Sequence, residues 1–538
     1  MSYPYSYPGN SNSNDYLNSL IWGTSWDTST NIGGSSGTIT YSFNYGIFGF
    51  AWENYEKNAI TAAIKCYENI CSIDFINVDP TNPNDPHYLE NISFIAADYD
   101  LMEYFMGDGS VLGFSDVPGE VSTLYKEGIV DTQFYALATI LNFEGQGWSS
   151  AGLRQGGCGF TTLIHEFGHA MGLSHPHDDA GGSGIMPGVS SEFYDYGTND
   201  LNQGIFTTMS YNSGWQTQFP DHSSLNYGYQ GTPMAFDIAV MQMLYGANNN
   251  YNTGKNTYIL PTANASGTYW SCIWDAGGAD TISNAGSAKS CVINLNAAPL
   301  TGANAGGYVS WNSGIVGGFT IANGVVIENA VGGDASDTLT GNASDNILNG
   351  GTGTDTVKYT SAKAAVTVDL VKGNATSTAG KDAAKIGTDT LSGIESVIAG
   401  NYNDIIKGSN LSNVLVGGLG TDSLYGGADK VRDVFDFDNI TETKIGTARD
   451  KVYNFISGVD GIDLKTIDAN TKVSGDQKFK FDGTKAGAHS LWYAIKDVDG
   501  SNLTKDIVIY GDVNGDAKAD FEIGLVSLNA IVAGDFIL

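Results

Sequence analysis

Three histidines and one glutamate lie within eleven residues, in the order His165, Glu166, His169 and His175. Residues four positions apart project from one face of an α-helix, so His165 and His169 can both direct a ring nitrogen at one metal ion. Gly172, a residue type that tolerates positive φ, can end the helix and turn the chain so that His175 reaches the same ion. The spacing predicts a three-histidine zinc site with Glu166 beside the metal.

The surrounding residues favour a helix that can carry this site. Leu163, Phe167, Ala170 and Met171 form an apolar stripe roughly opposite the first two histidines. A histidine pair at this spacing also arises by chance on ordinary helices, whereas the glycine and third histidine at fixed offsets are much more specific. We expect one face of the helix to pack and the other to do chemistry.

A methionine turn is the second part of this pattern, and the candidate is the stretch from Thr207 to Tyr211. A methionine alone would more often fill a core, and a buried tyrosine commonly needs only a partner for its hydroxyl. Met209 and Tyr211 together, downstream of the third histidine, indicate the floor and the edge of a metal site.

The chemistry of this set is that of hydrolysis. Three neutral imidazoles leave zinc its double positive charge, which lowers the pKa of a bound water towards neutrality. Glu166 can accept the proton of that water and hand it to a leaving nitrogen. The prediction is therefore a zinc-dependent peptidase.

These motifs resemble the serralysin family of metzincin endopeptidases. Pro176 follows the third histidine as in serralysins, residues 233–248 resemble the helix that closes their catalytic domain, and residues 39–43 resemble their opening strand. The resemblance implies an α+β metzincin catalytic domain followed by an all-β parallel β-roll. It also implies that Tyr211 is both a zinc ligand in the free enzyme and a catalytic residue that swings away to hydrogen-bond the oxyanion.

The composition changes along the chain. Helical spacing, as at Trp52, Tyr55, Ala59 and Cys66, and a helix opened by Thr232 and Pro233, give way after residue 246 to glycine, asparagine and aspartate. A chain of 538 residues is too long for one ordinary core. We expect an N-terminal segment or short propeptide (1–19), a zinc metallopeptidase domain (20–246), and a β-roll and secretion domain (247–538).

A nine-residue repeat runs without a gap from residue 332 to 358, and a second block lies between residues 400 and 429. It matches the calcium-binding repeat of RTX proteins, in which a glycine-rich turn faces the ion and a short strand follows. A flexible linker would not need the recurring leucine, isoleucine and valine. Asn413 and the shortened repeat at 426–429 predict weak or absent ions in the second block. The predicted ligands are Gly332, Asp334, Asp337, Gly341, Asp345, Gly350, Gly351, Gly353, Asp355, Asp404, Gly417, Gly418, Gly420, Asp422 and Asp429.

Another segment resembles a calcium site of the family, although a plain hairpin turn is the alternative interpretation. Its candidate ligands are Asn252, Gly254, Asn256, Asp275, Gly277, Gly278 and Asp280. The expected cofactors are thus one catalytic zinc and several structural calcium ions.

Charge and terminal segments bear on partners. The chain has 25 Lys and Arg against 58 Asp and Glu, a formal charge of -33, which argues against nucleic acid and for neutralising cations. Residues 1–10 do not form a secretory signal peptide, and no apolar stretch is long enough to span a membrane. The resemblance implies export by type I secretion machinery through a C-terminal signal at 534–538. We expect an extracellular monomer with protein and peptide substrates.

The five cysteines leave several interpretations open. Cys66 with Cys71 and Cys272 with Cys291 are two candidate pairs, and Cys158 is a candidate inhibitory thiolate. The function also has an alternative, a calcium-dependent RTX surface or adhesion protein whose metzincin half is inactive or secondary. The complete set of zinc ligands and general base favours the enzyme.

Overall fold

The computed structural model describes residues 4–6, 14–26, 37–43, 50–79, 91–118, 123–124, 132–133, 136–427, 429–501 and 505–538. They form two compact units. The first comprises Met1–Asn256, Leu260–Ala279 and Ala297–Val326, and the second Thr257–Ile259, Asp280–Asn296 and Ile327–Leu538. Residues 1–3 and 7–13 of the predicted N-terminal segment lie outside the described residues. The functional boundary at residue 246 stays a prediction.

Five α-helices lie in the first unit, among the described residues. Local sequence sets their ends: the Asp98 carboxylate accepts the Leu101 N–H at 2.8 Å where the third helix begins, and Gly107 ends that helix with φ +74°. The helices are α1 (Asp15–Asn18), α2 (Asn54–Ile70), α3 (Tyr99–Met106), α4 (Cys158–Ala170) and α5 (Ala235–Tyr245). Short 3₁₀ turns lie at Ala180–Gly182, Thr198–Asp200, Gly446–Ala448 and Ala533–Asp535.

The strands that precede α4 are β1 (Pro4–Ser6), β2 (Thr24–Trp26), β3 (Thr38–Phe43), β4 (Asp74–Asn77), β5 (Ile92–Ala97), β6 (Gly113–Ser115), β7 (Thr123–Leu124), β8 (Thr132–Gln133) and β9 (Leu137–Asn142). Five of them form a sheet in the order β4-β3-β5-β9-β6. Its first four strands are parallel, and only the edge strand β6 runs antiparallel to its neighbour.

Helix α4 packs between α2 and the β6–β9 edge of this sheet. Gly168 makes this close approach possible, because a Cβ there would lie 2.8 Å from the Tyr67 hydroxyl oxygen and 2.9 Å from Met209 Sδ. The Tyr67 hydroxyl donates to the Ile164 carbonyl at 2.7 Å. The packed face predicted for this helix is buried at Leu163 and Phe167.

The strands that follow α5 are β10 (Thr257–Ile259), β11 (Trp270–Ile273), β12 (Thr281–Ser283), β13 (Cys291–Asn294), β14 (Ser310–Asn312), β15 (Gly318–Ile321), β16 (Asn329–Val331), β17 (Thr338–Thr340), β18 (Ile347–Asn349), β19 (Thr356–Lys358), β20 (Val366–Asp369), β21 (Asn374–Ser377), β22 (Thr388–Ser392), β23 (Ser396–Ile398), β24 (Ile405–Lys407), β25 (Val414–Val416), β26 (Ser423–Tyr425), β27 (Val434–Asp436), β28 (Asp450–Tyr453), β29 (Gly461–Asp463), β30 (Lys480–Phe481), β31 (Ser490–Ile495), β32 (Ile507–Gly511), β33 (Phe521–Leu525) and β34 (Phe536–Ile537). In the first unit, β15 pairs with β11 and β14.

The second unit is a stack of short, mostly parallel strands in two sheets. One runs β10-β12-β16-β18-β22-β21-β20-β24-β26-β28-β33-β32-β31-β30, and the other contains β13-β17-β19-β23-β25-β27-β29-β34. Consecutive repeats alternate between the sheets, so Thr338 pairs with Thr356. The middle residues Leu339, Leu348 and Val357 are fully buried. This parallel β-rich architecture fits the predicted roll.

Two antiparallel regions interrupt the parallel pattern. Residues 361–399, predicted to be a strand-rich insertion, contain β20 and β21 as a hairpin against β22. Near the C-terminus, β31, β32 and β33 form an antiparallel meander. Among the described residues, no helix combines the length and apolarity needed to cross a membrane.

Candidate active site

The structure brings the three predicted zinc ligands together in the first unit. The Nε2 atoms of His165 and His169 are 3.2 Å apart, those of His165 and His175 3.2 Å, and those of His169 and His175 3.0 Å. Gly172 makes this turn possible: it has φ +95°, and a Cβ there would lie 2.5 Å from the Thr24 carbonyl oxygen. The ring nitrogens therefore converge on one point.

The other nitrogen of each ring is held by an acceptor. His165 Nδ1 lies 2.9 Å from the Thr208 carbonyl oxygen, His169 Nδ1 2.9 Å from that of Leu173, and His175 Nδ1 2.8 Å from Asp178 Oδ2. Donation at Nδ1 leaves the Nε2 lone pairs directed at the shared point, as in histidines that bind a metal.

Burial favours the neutral imidazoles that zinc binding needs. It lowers the pKa of His165 to about 3, with a further contribution from His175, and it lowers the pKa of His169 well below its usual value. Three neutral nitrogens at this separation fit a small dication. Their role as zinc ligands stays a prediction.

Glu166, the predicted general base, is buried beside the histidines with 7 % of its surface exposed. A Cβ on Gly113, the first residue of β6, would lie 2.7 Å from Glu166 Cγ and 3.0 Å from its Cδ. Gly113 thus leaves the space that this side chain occupies. Burial raises the pKa of Glu166 to about 8, which favours a carboxyl that readily holds a proton.

Tyr211 lies against the histidine cluster. Its ring centroid is 4.9 Å from that of His175, 4.6 Å from that of His177 and 5.3 Å from that of Phe193. Burial, followed by the charge of Glu166, raises the pKa of its phenol. The position is compatible with the predicted roles of Tyr211, which remain predictions.

Asp237 of α5 holds the methionine turn through hydrogen bonds. Met209 is fully buried, and the Asp237 carboxylate accepts the Thr207 hydroxyl at 2.6 Å and the N–H groups of Thr208 at 2.7 Å and Met234 at 2.8 Å. Asp237 therefore fixes the backbone whose carbonyl orients His165.

A cavity of about 350 Å³ opens over these residues. His165, Glu166 and Tyr211 line one side, and Gly113 and Phe193 lie on its wall. The cavity is large enough to admit part of a substrate directly beside the histidines and the glutamate.

Sequence reasoning missed several residues that shape the site. Asp178 follows a predicted ligand by three positions, a spacing that could have suggested an orienting carboxylate. The ring of His177 stacks on that of His175, with centroids 4.8 Å apart. Gly113 and Asp237 are brought in by packing and carry no local signal.

The structure contains no disulfide among the described residues, and all five cysteines are free thiols. Cys66 and Cys71 donate instead to the carbonyls of Ala62 and Tyr67, at 3.3 and 3.0 Å. Cys158 begins α4 and lines the cavity, but burial raises the pKa of its thiol, which disfavours the inhibitory thiolate considered above.

The additional predicted calcium segment divides between the two units. In the first unit, Asp275 is buried and accepts the Gly277 N–H at 2.9 Å, and Asn252 has φ +51°. Gly254, Asn256 and Gly278 belong to the same unit, whereas Asp280 belongs to the second. Calcium binding by this segment stays a prediction.

In the roll, buried aspartates form ladders, in which the backbone N–H of one aspartate donates to the carboxylate of an aspartate further along the chain. The Asp337 N–H donates to Asp355 Oδ1 at 2.8 Å, eighteen residues on, and the Asp404 N–H donates to Asp422 Oδ1 at 2.7 Å. Asp422 then donates its own N–H to Asp450 Oδ1 at 2.7 Å. The Oδ2 atoms of Asp355, Asp422 and Asp450 are buried and have no hydrogen-bond partner within the described part of the chain.

Asparagine occupies two rungs of these ladders. The amide of Asn346 donates to the Glu328 carbonyl at 3.0 Å, and that of Asn413 to the Glu395 carbonyl at 2.9 Å. The amide N–H satisfies the carbonyl at each of these positions, whereas an ionised aspartate has no proton to donate there. Asn346 fills the buried position of its repeat, while the predicted ligand Asp345 is exposed.

Of the remaining predicted ligands in the repeats, Asp334 is exposed in its turn, whereas Asp429 Oδ2 is buried and unpartnered among the described residues. The glycines form the turns, and the conformation of Gly351 (φ +101°) and Gly353 (φ +136°) is one that only glycine adopts easily. The other predicted glycines are Gly332, Gly341, Gly350, Gly417, Gly418 and Gly420.

Comparison with known proteins gives the class. The family described as Peptidase M10 serralysin C terminal matches residues 236–388 and 352–538. Metallopeptidase AprA of Pseudomonas marginalis is 35% identical over 35% of this chain and 39% of its own length. Serralysin of Proteus mirabilis is 33% identical over 40% and 45%, and serralysin of Photorhabdus luminescens 29% over 55% and 54%. The first of these relatives is named a metallopeptidase, and the other two are named serralysins.

Because the family match covers more than half of the chain, the chain belongs to the serralysin family. The matched part of the chain spans about half of the length of these curated relatives, or less.

Proposed function

We propose that the chain is a secreted, zinc-dependent endopeptidase that is stabilised by calcium. The observation that carries this proposal is the convergence of three Nε2 atoms within 3.0 to 3.2 Å of one another, beside a buried glutamate in an open cavity. The names of the relatives support the same activity.

His165, His169 and His175 would hold the zinc through Nε2. When bound, zinc supplies the Lewis acidity that activates water for attack on a peptide carbonyl. The backbone carbonyls of Thr208 and Leu173 and the Asp178 carboxylate keep the three rings in the orientation that binding needs.

Glu166 would move the proton. Its carboxylate accepts a proton from the attacking water and passes that proton to the nitrogen of the departing amine. The raised pKa of Glu166 favours the protonated carboxyl that would exist between these two proton transfers. A zinc ion nearby would lower this pKa, because its positive charge favours the carboxylate.

Tyr211 would stabilise the carbonyl oxygen of the peptide bond that is cleaved. Its phenol ring lies beside the ring of His175, so that the hydroxyl can bind the metal in the free enzyme or donate a hydrogen bond to the oxygen that becomes negative during attack. The high pKa of the phenol keeps the proton that this donation requires.

Calcium would complete the ladders of the roll. Asp422 and Asp450 present buried carboxylate oxygens that hydrogen bonds leave unsatisfied, a costly arrangement that a cation relieves. The formal charge of -33 adds to the need for cations. Export through type I secretion machinery, an extracellular location and a monomeric state are parts of the same proposal.

Azocasein hydrolysis by the zinc-loaded full chain tests the activity. We expect o-phenanthroline to abolish hydrolysis, and Glu166→Gln to reduce the rate roughly 10²- to 10⁴-fold while zinc content stays at one ion per chain. Hydrolysis that ignores both changes would overturn the mechanism. No hydrolysis by zinc-loaded protein would favour the calcium-dependent surface or adhesion protein.

A further inference from the structure

A second cavity, of about 280 Å³, lies in the first unit. Six aromatic residues dominate its lining, namely Tyr194, Tyr196, Trp215, Phe219, Tyr229 and Trp270. The described residues that line it include no aspartate, glutamate, lysine or arginine. In a chain with a formal charge of -33, this concentration of uncharged rings marks a place for an uncharged, ring-shaped group.

The second cavity borders the one that holds the histidines. Ser213 and Tyr229 line both cavities. Ser213 follows Tyr211 by only two residues, so the lining that the two cavities share lies close to a proposed catalytic residue. A peptide lying across His165 and Glu166 therefore passes close to the second cavity.

Aromatic rings in the lining of the second cavity pack against one another. Trp270 is 1% exposed, and its ring centroid lies 5.6 Å from that of Trp215 at an interplanar angle of 84°. Phe219 lies 5.9 Å from Trp270. Edge-to-face packing of this kind fixes the exposed face of Trp215 before any ligand arrives, which lowers the entropic cost of stacking on it.

The rim carries an exposed aromatic side chain on a strained backbone. Tyr194 is 81% exposed and has φ +57°, a conformation that bulky residues rarely adopt. Its N–H donates to Asn212 Oδ1 at 2.7 Å, and the Asn212 amide donates to the carbonyls of Asp195 at 3.1 Å and Asn202 at 2.9 Å. These bonds fix the backbone of Tyr194, from which the exposed ring projects.

A polar group lies among the rings. The Tyr196 hydroxyl donates to Gln216 Oε1 at 3.2 Å, and Gln216 itself lines the cavity. The cavity can therefore satisfy a hydroxyl or indole N–H at the tip of an otherwise apolar ring.

From these observations we infer that the second cavity is a substrate subsite that receives an aromatic side chain of the peptide to be cleaved. The inference rests on the proposed endopeptidase function. It makes Trp215 and Tyr194 residues that determine specificity: Trp215 stacks on the substrate ring and Tyr194 closes over it. A charged side chain is disfavoured there because the described lining holds no aspartate, glutamate, lysine or arginine to neutralise it. The lining does include His222, whose Nε2 lies 2.7 Å from the Tyr227 carbonyl oxygen.

The test uses quenched peptides in which one phenylalanine is moved through positions on both sides of the cleaved bond, against an all-alanine background. At one position, phenylalanine should raise kcat/KM about tenfold over alanine, and glutamate or lysine should lower it. Tyr194→Asn, which keeps a residue tolerant of positive φ, should reduce the phenylalanine preference about threefold, and Trp215→Ala should abolish it. The readout is the ratio of the kcat/KM values for the phenylalanine peptide and the all-alanine peptide, taken within each variant.

Tyr104→Asn is the matched control, since Tyr104 is an exposed tyrosine that lines neither cavity. It should retain the full phenylalanine preference. If Trp215→Ala fails to fold, Tyr194→Asn alone decides. An unchanged preference in Tyr194→Asn, or no preferred position in the wild type, would overturn the inference.

A binding measurement separates this inference from the proposed function. Zinc-loaded Glu166→Gln protein is titrated with the preferred phenylalanine peptide and with the alanine peptide, followed by tryptophan fluorescence. Tighter binding of the phenylalanine peptide, weakened by Tyr194→Asn, supports the subsite even if the wild type cleaves nothing. Equal binding of both peptides by Glu166→Gln protein, when the wild type does cleave, refutes the subsite and leaves the endopeptidase proposal standing.

Discussion

The Asp237 carboxylate accepts the N–H of Thr208 at 2.7 Å, and the carbonyl of the same Thr208 lies 2.9 Å from Nδ1 of His165. A buried acid on α5 therefore acts on a proposed zinc ligand through a single residue of backbone. The methionine turn is the connection between them, and its geometry depends on this acid.

Replacing Asp237 should weaken zinc binding without touching a ligand. Asp237→Ala leaves the Thr207 hydroxyl and the Thr208 and Met234 N–H groups unpaired in a buried site, at a cost of roughly 3 kcal/mol of unfolding free energy or more. Zinc affinity should fall about 10- to 100-fold. Competition with a chromogenic chelator measures the affinity, and Asp237→Asn, which keeps an acceptor, should lie between. Wild-type affinity in a folded Asp237→Ala protein would contradict this.

Asp178 should matter for the third ligand. Asp178→Asn weakens the 2.8 Å contact with His175 Nδ1, so we expect zinc to bind about tenfold more weakly and to dissociate faster. The neighbouring Asp179→Asn is the control, because it removes one charge of the same sign nearby and should have little effect. Equal losses in both variants would mean that net charge, not orientation of the ring, accounts for the change.

Gly113 should be needed for the position of the general base. In Gly113→Ala the new methyl group meets Cγ and Cδ of Glu166 and displaces the carboxylate. We expect kcat to fall about a hundredfold while zinc content is unchanged, since displacements of about 1 Å have effects of that size. Gly184→Ala, where a Cβ meets nothing within 4 Å, is the control. Activity near the wild-type level in Gly113→Ala would show that Glu166 tolerates the shift.

Tyr211→Phe should separate binding from catalysis. The ring and its contacts with His175 and Phe193 remain, but the hydroxyl that would donate to the oxyanion is lost. We expect kcat to fall roughly a hundredfold with KM nearly unchanged. Steady-state kinetics on one peptide measures both, and a change confined to KM would argue against the assigned role.

The roll should respond to pH in opposite ways with and without calcium. Burial raises the pKa of Asp422 to about 8, and burial together with Asp422 raises that of Asp450 to about 9. Folded pKa values above the unfolded value of about 4 mean that stability is full at low pH and is lost as pH rises from about 4 to 9. In calcium-free buffer, calorimetry should show melting that falls over this range.

Calcium should reverse this trend, because it binds the ionised carboxylates and releases their protons. At neutral pH, calcium should raise the melting temperature and acidify a weakly buffered solution. Asp422→Asn should melt higher than the wild type without calcium and gain less from it, as Asn413 and Asn346 need no cation. Calcium-free melting that rises with pH would contradict the assignment.

Short sequence patterns predicted the helices and strands that depend mainly on neighbouring residues in the chain. The periodicity around His165 marks α4, and the nonapeptides mark the strands of the roll, because each strand repeats the same turn and the same buried side chain. In the repeat that begins at Gly341, the sequence predicted Asp345 as a calcium ligand. The structure instead buries Asn346, which occupies the position that Asp337 has in the preceding repeat. Burial depends on neighbouring coils that one repeat does not contain.

Residues that packing brings to the site could not be predicted. Asp237 reaches Thr208 only because α5 packs against the methionine turn. Gly113 reaches Glu166 only because β6 is the edge strand beside α4. The second cavity depends on Trp215 and Trp270, which lie far apart in sequence. No spacing rule connects such pairs.

The acceptors of the three histidines differ in how they would tolerate evolutionary change. His165 and His169 are oriented by backbone carbonyls, which survive almost any substitution at Thr208 or Leu173. His175 depends on the side chain of Asp178, which a single substitution removes. Sequence drift would therefore loosen the proposed metal centre first at His175, because one substitution at Asp178 is enough to remove the acceptor of its ring nitrogen.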